Sequence, residues 1–178
     1  KGVWEENKNI STSADDSKSV IFNKTSELIE SLIQSRKKEG QGLHLILSEK
    51  LSSIMVLYRD AKKILPERSK YLKKNFKSAV DKVISENSQV DENRIEHELA
   101  IIAIKQDIAE ELDRLKVHIL SMQDLLNSSS VVGKKLDFLS QELNREVNTI
   151  CAKSQFIDLT KIGIEMKTLV DQFREQVQ

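Results

Sequence analysis

Residues 92–126 read ENRIEHELAIIAIKQDIAEELDRLKVHILSMQDLL, and apolar residues return along this stretch every three or four positions. That spacing places them on one face of a helix. The stripe consists of Ile95, Leu99, Ile102, Ile108, Leu112, Leu115, Ile119, Met122 and Leu126. We therefore predict one long amphipathic helix from about Glu92 to Leu126 that buries this face against other helices.

The same spacing recurs upstream. A first helix is predicted from about Asn23 or Thr25, either of which can cap it, to Leu65. Pro66 lacks a backbone donor and disfavours helical geometry at the residue before it, so we expect a break or kink there. A second helix is predicted from about Glu67 to Ser85, and a turn from Glu86 to Asn93 with Asp91 as a cap.

Two more helices are predicted downstream of the loop that ends at Gly133. Apolar residues at helical spacing define them, namely Leu136, Leu139, Leu143, Val147 and Ile150 in the fourth and Leu159, Ile162, Met166, Leu169, Phe173 and Val177 in the fifth. Only 4% of the residues are aromatic and one is proline, whereas a strand-rich chain has more turn residues. The predicted fold is all-α, an elongated bundle of about five long antiparallel helices.

Charge and cysteine usage exclude several classes of function. Lys plus Arg and Asp plus Glu both number 28, so any attraction to nucleic acid must come from local clusters. The single Cys151 cannot form an internal disulfide, which fits a reducing compartment. No apolar run approaches the roughly 20 residues of a membrane span. We expect a cytoplasmic protein without a membrane partner.

Three blocks of sequence resemble one known family. They are residues 92–100 with 105–115 and His118, the block GKKLDFLSQELNREVNT at residues 133–149, and Ala152–Ser154 with residues 165–167 and 174–177. Together they are similar to the YicC family of bacterial metal-dependent endoribonucleases. Lys134 and Lys135 stand where that family often has two Arg, which make bidentate phosphate contacts that Lys cannot make.

The resemblance implies an enzyme that hydrolyses phosphodiester bonds in RNA with a divalent metal, manganese or magnesium. It also implies a homo-oligomer built on long helices, and a separate N-terminal domain that precedes the matching part in the family. We accordingly expect residues 1–20 to be a linker or the remnant of that domain. Residues 21–90 are expected to form a long helical arm, either a hairpin or a kinked helix, and residues 91–178 a YicC-like C-terminal helical domain.

Candidate catalytic residues lie on the third and fourth predicted helices. Helical spacing puts Asp107, Glu111, Arg114 and His118 in one row, and Glu142 one turn from Glu146. With the resemblance, we predict Glu111, Glu142 and Glu146 as metal ligands, and His118, Glu111 and Glu142 as catalytic residues with His118 transferring a proton. The alternative is a solvated face of ordinary helix ion pairs, such as Glu111 with Arg114 and Glu142 with Arg145.

Basic residues form the predicted RNA-binding set. One stripe consists of Lys70, Lys73, Lys74 and Lys77, supported by Lys62, Lys63 and Arg68. The predicted phosphate contacts near the acidic cluster are Arg114, Lys134, Lys135, Arg145 and Lys153. The stripe could equally be a solvated charged face. Aromatic residues are few, so we do not expect sequence-specific reading by base stacking.

Two other functions remain open at this point. One is a non-catalytic oligomeric helical module that binds RNA or an RNA-degrading partner. The other is a helical scaffold that orients the N-terminal domain. Metal-dependent cleavage separates the endoribonuclease from both, although this chain alone could be inactive.

Overall fold

The computed structural model describes residues 14–86 and 92–178, and every regular element within these ranges is an α-helix. The helices are α1 (Ala14–Glu86), α2 (Glu92–Lys105), α3 (Ala109–Leu126), α4 (Gly133–Lys153) and α5 (Ile157–Val177). The predicted all-α class with about five helices is confirmed. None of the described helices is long and apolar enough to cross a membrane.

The chain divides into two units, residues 1–43 and residues 44–178. The described part of the first unit, residues 14–43, belongs to α1, so residues 14–20 of the expected linker are helical and residues 1–13 lie outside the described ranges. The predicted start at Asn23 or Thr25 is wrong. Thr25 lies inside α1, and its hydroxyl donates to the carbonyl of Ile21 at 2.8 Å.

Residues 44–178 form an antiparallel bundle. Lys50 donates to Gln172 at 2.8 Å, and farther along α1 the ring of Tyr71 lies 5.5 Å from that of Phe156, so α1 and α5 run in opposite directions. Asn144 of α4 donates to Asp171 of α5, whereas Ser154, ten residues farther along the chain, contacts Thr160 near the start of α5. The helices α4 and α5 are therefore antiparallel as well. Side chains in the first third of α3 contact the second half of α4, Glu111 with Lys153 and Arg114 with Glu146, so α3 and α4 are antiparallel too.

The core of this unit lies between α1, α3, α4 and α5. Its buried apolar side chains are Leu47, Leu51, Ile54, Tyr58, Ala61, Ile108, Leu112, Leu115, Ile119, Met122, Leu136, Leu143, Val147, Ile150, Leu159, Met166, Val170 and Phe173. Most belong to the predicted stripes. Full burial of each large apolar side chain stabilises the fold by about 1.5–3 kcal/mol.

Pro66 lies inside α1, so the predicted break at Leu65 is wrong, while the alternative of a kink there stays a prediction. Proline in a helix interior costs about 3 kcal/mol because it removes a hydrogen bond and crowds the preceding turn. Here the helix is anchored on both sides of Pro66, by the buried Tyr58 and Ala61 before it and the buried Arg68 after it. Pro66 itself is exposed. Tertiary packing therefore outweighs the local preference.

The predicted helix from Glu92 to Leu126 is instead two helices, separated at residues 106–108. The carboxylate of Asp107 accepts a hydrogen bond from the backbone amide of Ala109 at 2.9 Å. A short Asp side chain that bonds the backbone two residues later competes with helical hydrogen bonding. Ile108 is nonetheless buried, which is why the apolar spacing continues across the break. The predicted cap Asp91 lies outside the described residues.

Gly163 allows α4 and α5 to approach closely. A Cβ at this position would overlap the Sγ of Cys151 on α4, so any larger residue would push the two helices apart. Burial raises the pKa of the Cys151 thiol, and the charge of Lys167 opposes that rise. Cys151 thus serves as a small packing residue between α4 and α5.

Candidate metal centre

Three of the predicted site residues meet where α3 faces α4. His118 projects from α3, and Glu142 and Glu146 project one turn apart from α4. One ligand atom from each side chain lies within 4.8 Å of those of the other two. Glu146 is buried, and His118 and Glu142 are half-buried. We call these three residues the metal group.

Two members of the metal group have free ligand atoms. Across the two described ranges, neither the imidazole of His118 nor the carboxylate of Glu142 takes part in a hydrogen bond or ion pair. The alternative pair of Glu142 with Arg145 is therefore not formed there. An imidazole nitrogen with carboxylate oxygens is a donor set that suits a divalent cation, and the nitrogen favours manganese over magnesium.

Glu146 is already engaged. Arg114 donates two hydrogen bonds to its carboxylate from one edge of the guanidinium, Nε to Oε1 at 2.8 Å and Nη2 to Oε2 at 2.9 Å. The same guanidinium also contacts Glu110 and lies 3.8 Å from Glu111 on its own helix. The hydrogen bond to Glu146 raises the pKa of Arg114, against an opposing effect of desolvation.

Glu111, the third predicted ligand, does not belong to the metal group. It is 5% exposed, and Lys153 donates to its Oε1 at 2.8 Å, while its Oε2 is buried without a hydrogen-bond partner in the described structure. Desolvation raises the pKa of Glu111, but the hydrogen bond from Lys153, a backbone hydrogen bond and the charges of Lys153 and Arg114 together lower it. Glu111 is thus held as a carboxylate in an ion pair. Its Oε1 faces Lys153.

Lys153 and Arg68 connect the helices around the metal group through hydrogen bonds. Lys153 also donates to the carbonyl of Asp107 at 3.1 Å. The buried Arg68 of α1 donates to the carbonyls of Ser154 at 2.7 Å and of Gln106 and Lys153 at 2.8 Å. Burial lowers the pKa of Arg68, and the charge of Asp107 opposes that effect. These bonds fix the α2–α3 break against the end of α4.

Arg68 was assigned by sequence to the basic stripe, and the structure corrects this. Its guanidinium is occupied by backbone carbonyls inside the bundle. The signal was present in the sequence, because Arg68 follows Tyr58, Ala61 and Leu65 at the same helical spacing. Asp107 likewise lies in the break before α3 and not in the row with Glu111 and His118.

The remaining predicted phosphate contacts lie at different distances from the metal group. Arg145 is exposed beside Glu146 in sequence, whereas Lys134 and Lys135 are exposed at the start of α4, about two turns before Glu142. The stripe of Lys70, Lys73, Lys74 and Lys77 is exposed on α1. Beside His118, an open depression of about 520 Å³ is lined by Asp107, Ala109, Glu110, Asp113, Arg114 and Val117.

Comparison with known proteins places this arrangement in a family. Residues 61–178 match the family model described as endoribonuclease YicC-like, C-terminal. The chain belongs to the YicC-like family. The matched range includes the last third of α1 and all of α2 to α5, so every residue of the metal group lies within the YicC-like part.

Two curated YicC-like relatives are similar over long stretches. The chain is 36% identical to the probable endoribonuclease YicC of Haemophilus influenzae over 152 residues, which is 85% of this chain and 52% of the relative. It is 40% identical to the probable endoribonuclease YicC of Clostridioides difficile over 99 residues, or 56% of this chain and 34% of the relative. The chain therefore spans about half the length of these relatives or less.

Proposed function

We propose that this chain contributes the metal-binding part of an endoribonuclease that hydrolyses phosphodiester bonds in RNA. The observation that carries the proposal is the metal group, since His118, Glu142 and Glu146 converge within 4.8 Å from two helices. Two of the three have no other partner in the described ranges. The curated relatives, named probable endoribonucleases, support the reaction class.

Manganese or magnesium held by the metal group would activate a water molecule and neutralise negative charge on the phosphate. His118 then acts as a ligand, which replaces the proton-transfer role expected for it. Glu142 supplies a carboxylate at no cost in existing bonds, whereas Glu146 must give up hydrogen bonds from Arg114. The guanidinium so released lies at the metal group and can contact a phosphate oxygen.

The other basic residues have different parts in this proposal. Arg145 is an exposed phosphate contact beside Glu146, and the α1 lysines and Lys134 and Lys135 extend the binding surface along the RNA. Lys153 is bound to Glu111 and to the carbonyl of Asp107, so we propose a positioning role for it. We also propose a cytoplasmic homo-oligomer. Exposed apolar side chains on residues 14–43, including Ile21, Leu28 and Leu32, support the self-association.

The test is cleavage of a fluorescently labelled structured RNA by the full chain with manganese, with magnesium and with chelator. We expect fragments only with a metal, and a loss of about a hundredfold or more for Glu142→Gln, a change that removes one ligand charge. Glu165→Gln on the exposed face of α5 is the matched control and should cut as the unmodified chain does.

Fragments that form equally with chelator, or Glu142→Gln that cuts like Glu165→Gln, would exclude the metal group from the chemistry. Binding of RNA without any fragment would favour the non-catalytic module. The engagement of Glu146 by Arg114 is the one observation that supports that second function, because it resembles a structural ion pair.

A further inference from the structure

A large apolar groove runs between the C-terminal half of α1, α2 and the α2–α3 break. It measures about 810 Å³, within the range of about 300–1,000 Å³ that pockets for small molecules have. Its apolar lining includes Leu65, Leu72, Phe76, Val80, Leu99 and Ile108. Phe76 is half-buried, so one part of its ring faces the groove and is open to a ligand.

The charges that line the groove are mostly positive. Lys73 and Lys77 lie one turn apart on α1, are exposed, and form no ion pair within the described ranges. Arg68 also lines the groove but is held by three backbone carbonyls. Asp107 is the single acidic residue among the described lining residues, and it sits at the end nearest α3. An apolar base with unpaired cations at its rim suits a ligand that is both flat and anionic.

The groove adjoins the candidate metal centre. Asp107 and Ala109 line both the groove and the depression that contains His118. A bound polymer chain that leaves the groove across the start of α3 therefore enters the space beside Arg114 and the metal group. A continuous surface of this kind fits a polymer better than it fits a free small molecule.

We propose that this groove is a subsite for an unpaired nucleotide of the RNA that flanks the phosphate to be cut. The base lies against Phe76 and the neighbouring aliphatic side chains, and Lys73 and Lys77 contact the phosphates on either side of it. The enzyme then selects RNA with a single-stranded segment next to the cleavage point. This inference rests on the proposed function for the identity of the ligand.

An amphipathic protein helix is the other class of occupant for an apolar groove. The charges argue against a protein helix. A protein partner would need acidic residues opposite both lysines, whereas every RNA strand carries negatively charged phosphates. Continuity with the metal group argues in the same direction, because a protein helix there would cover the approach to His118.

The test uses the full chain in chelator, so that binding is measured without cleavage. The probe is a short single-stranded RNA with 2-aminopurine at one position, free or annealed to its complement. We expect the fluorescence of 2-aminopurine to fall on binding of the single strand, and Phe76→Ala to abolish that change and weaken binding roughly tenfold, since stacking contributes about 1–3 kcal/mol per base. Phe76→Trp should retain both signals.

Phe138→Ala is the matched control, because Phe138 is exposed on α4 outside the groove. Lys73→Gln should reduce the slope of log affinity against log salt by about 0.7 for the single strand, as expected for one lost phosphate contact. Circular dichroism of each variant verifies the helical fold.

The subsite is overturned if folded Phe76→Ala binds and quenches the probe as Phe138→Ala does. It is overturned equally if Phe76→Ala changes the oligomeric state and leaves RNA binding intact, because a protein then occupies the groove. Absence of metal-dependent cleavage together with a Phe76-dependent signal would refute the proposed function and leave the subsite standing.

Discussion

Glu111 shows how one buried carboxylate links stability to pH. Because its pKa is held below the ordinary value of 4.5, its pair with Lys153 stabilises the fold above the pKa of the unfolded chain. That contribution is lost as the pH falls through the lower folded-state value. At neutral pH the ion pair is therefore complete, and in strong acid it is absent.

Glu111→Gln should lower the free energy of unfolding by about 1–3 kcal/mol at neutral pH, since it removes a charged acceptor from a buried hydrogen bond. The deficit should shrink in strong acid, below the lowered pKa of Glu111, where the native carboxyl is itself protonated. Urea unfolding at both pH values measures it, with exposed Glu110→Gln as the control and an expected change within about 1 kcal/mol. An equal deficit for Glu111→Gln at both pH values would refute the linkage.

Arg114 and a metal ion compete for the same carboxylate in this account. Arg114→Gln frees both oxygens of Glu146 and removes a nearby positive charge, so the affinity for manganese should rise by about tenfold. Titration calorimetry measures it. Arg145→Gln removes the same charge at an exposed neighbour that does not contact Glu146 in the described structure. This control should change the affinity for manganese far less. Equal effects of the two variants would show that Arg114 does not restrain Glu146.

At the scale of the elements, Arg68 holds three segments in place. Arg68→Met leaves the carbonyls of Gln106, Lys153 and Ser154 without their shared donor, and each unsatisfied buried acceptor costs about 1–3 kcal/mol. We expect a loss of at least about 3 kcal/mol in urea unfolding and faster hydrogen exchange at the start of α3. Exposed Lys70→Met on the same helix should stay within about 0.5 kcal/mol. Similar stability of the two variants would remove Arg68 from this role.

Most of the helices could be predicted because apolar residues recur every three or four positions on the face that becomes buried. Leu136, Leu143, Val147 and Ile150 are buried on α4 as predicted. The two wrong boundaries have physical reasons that periodicity does not contain. Packing on both sides carries α1 through Pro66, and a side-chain bond from Asp107 ends one helix and begins the next while the apolar spacing continues.

The candidate site could be predicted only in part. Glu142 and Glu146 share a helix face at any packing, so their proximity follows from spacing alone. Glu111 and His118 also share a face of α3, two turns or about 10 Å apart along the axis. The axial offset between α3 and α4 decides which of them meets Glu142. That offset arises from tertiary packing, and it places His118 at the metal group and Glu111 opposite Lys153.

For the molecule as a whole, the proposed binding of RNA must depend on local surfaces, since acidic and basic residues both number 28. Residues 44–178 place an apolar groove with unpaired lysines beside a depression that leads to the metal group. The fold class follows from composition and periodicity, whereas this adjacency depends on the break before α3. The groove and the depression beside His118 share Asp107 and Ala109, so the proposed binding and the proposed cleavage of RNA would use one surface.

We propose that His118, Glu142 and Glu146 bind one divalent cation. The most direct measurement is the titration of manganese into the full chain, with the free ion followed by electron paramagnetic resonance, for the unmodified chain, His118→Gln, Glu142→Gln and the control Glu165→Gln. We expect one site whose affinity for manganese falls about tenfold or more in the His118 and Glu142 variants and is unchanged in the control. Equal binding by all four chains, or no binding by the unmodified chain, would contradict it.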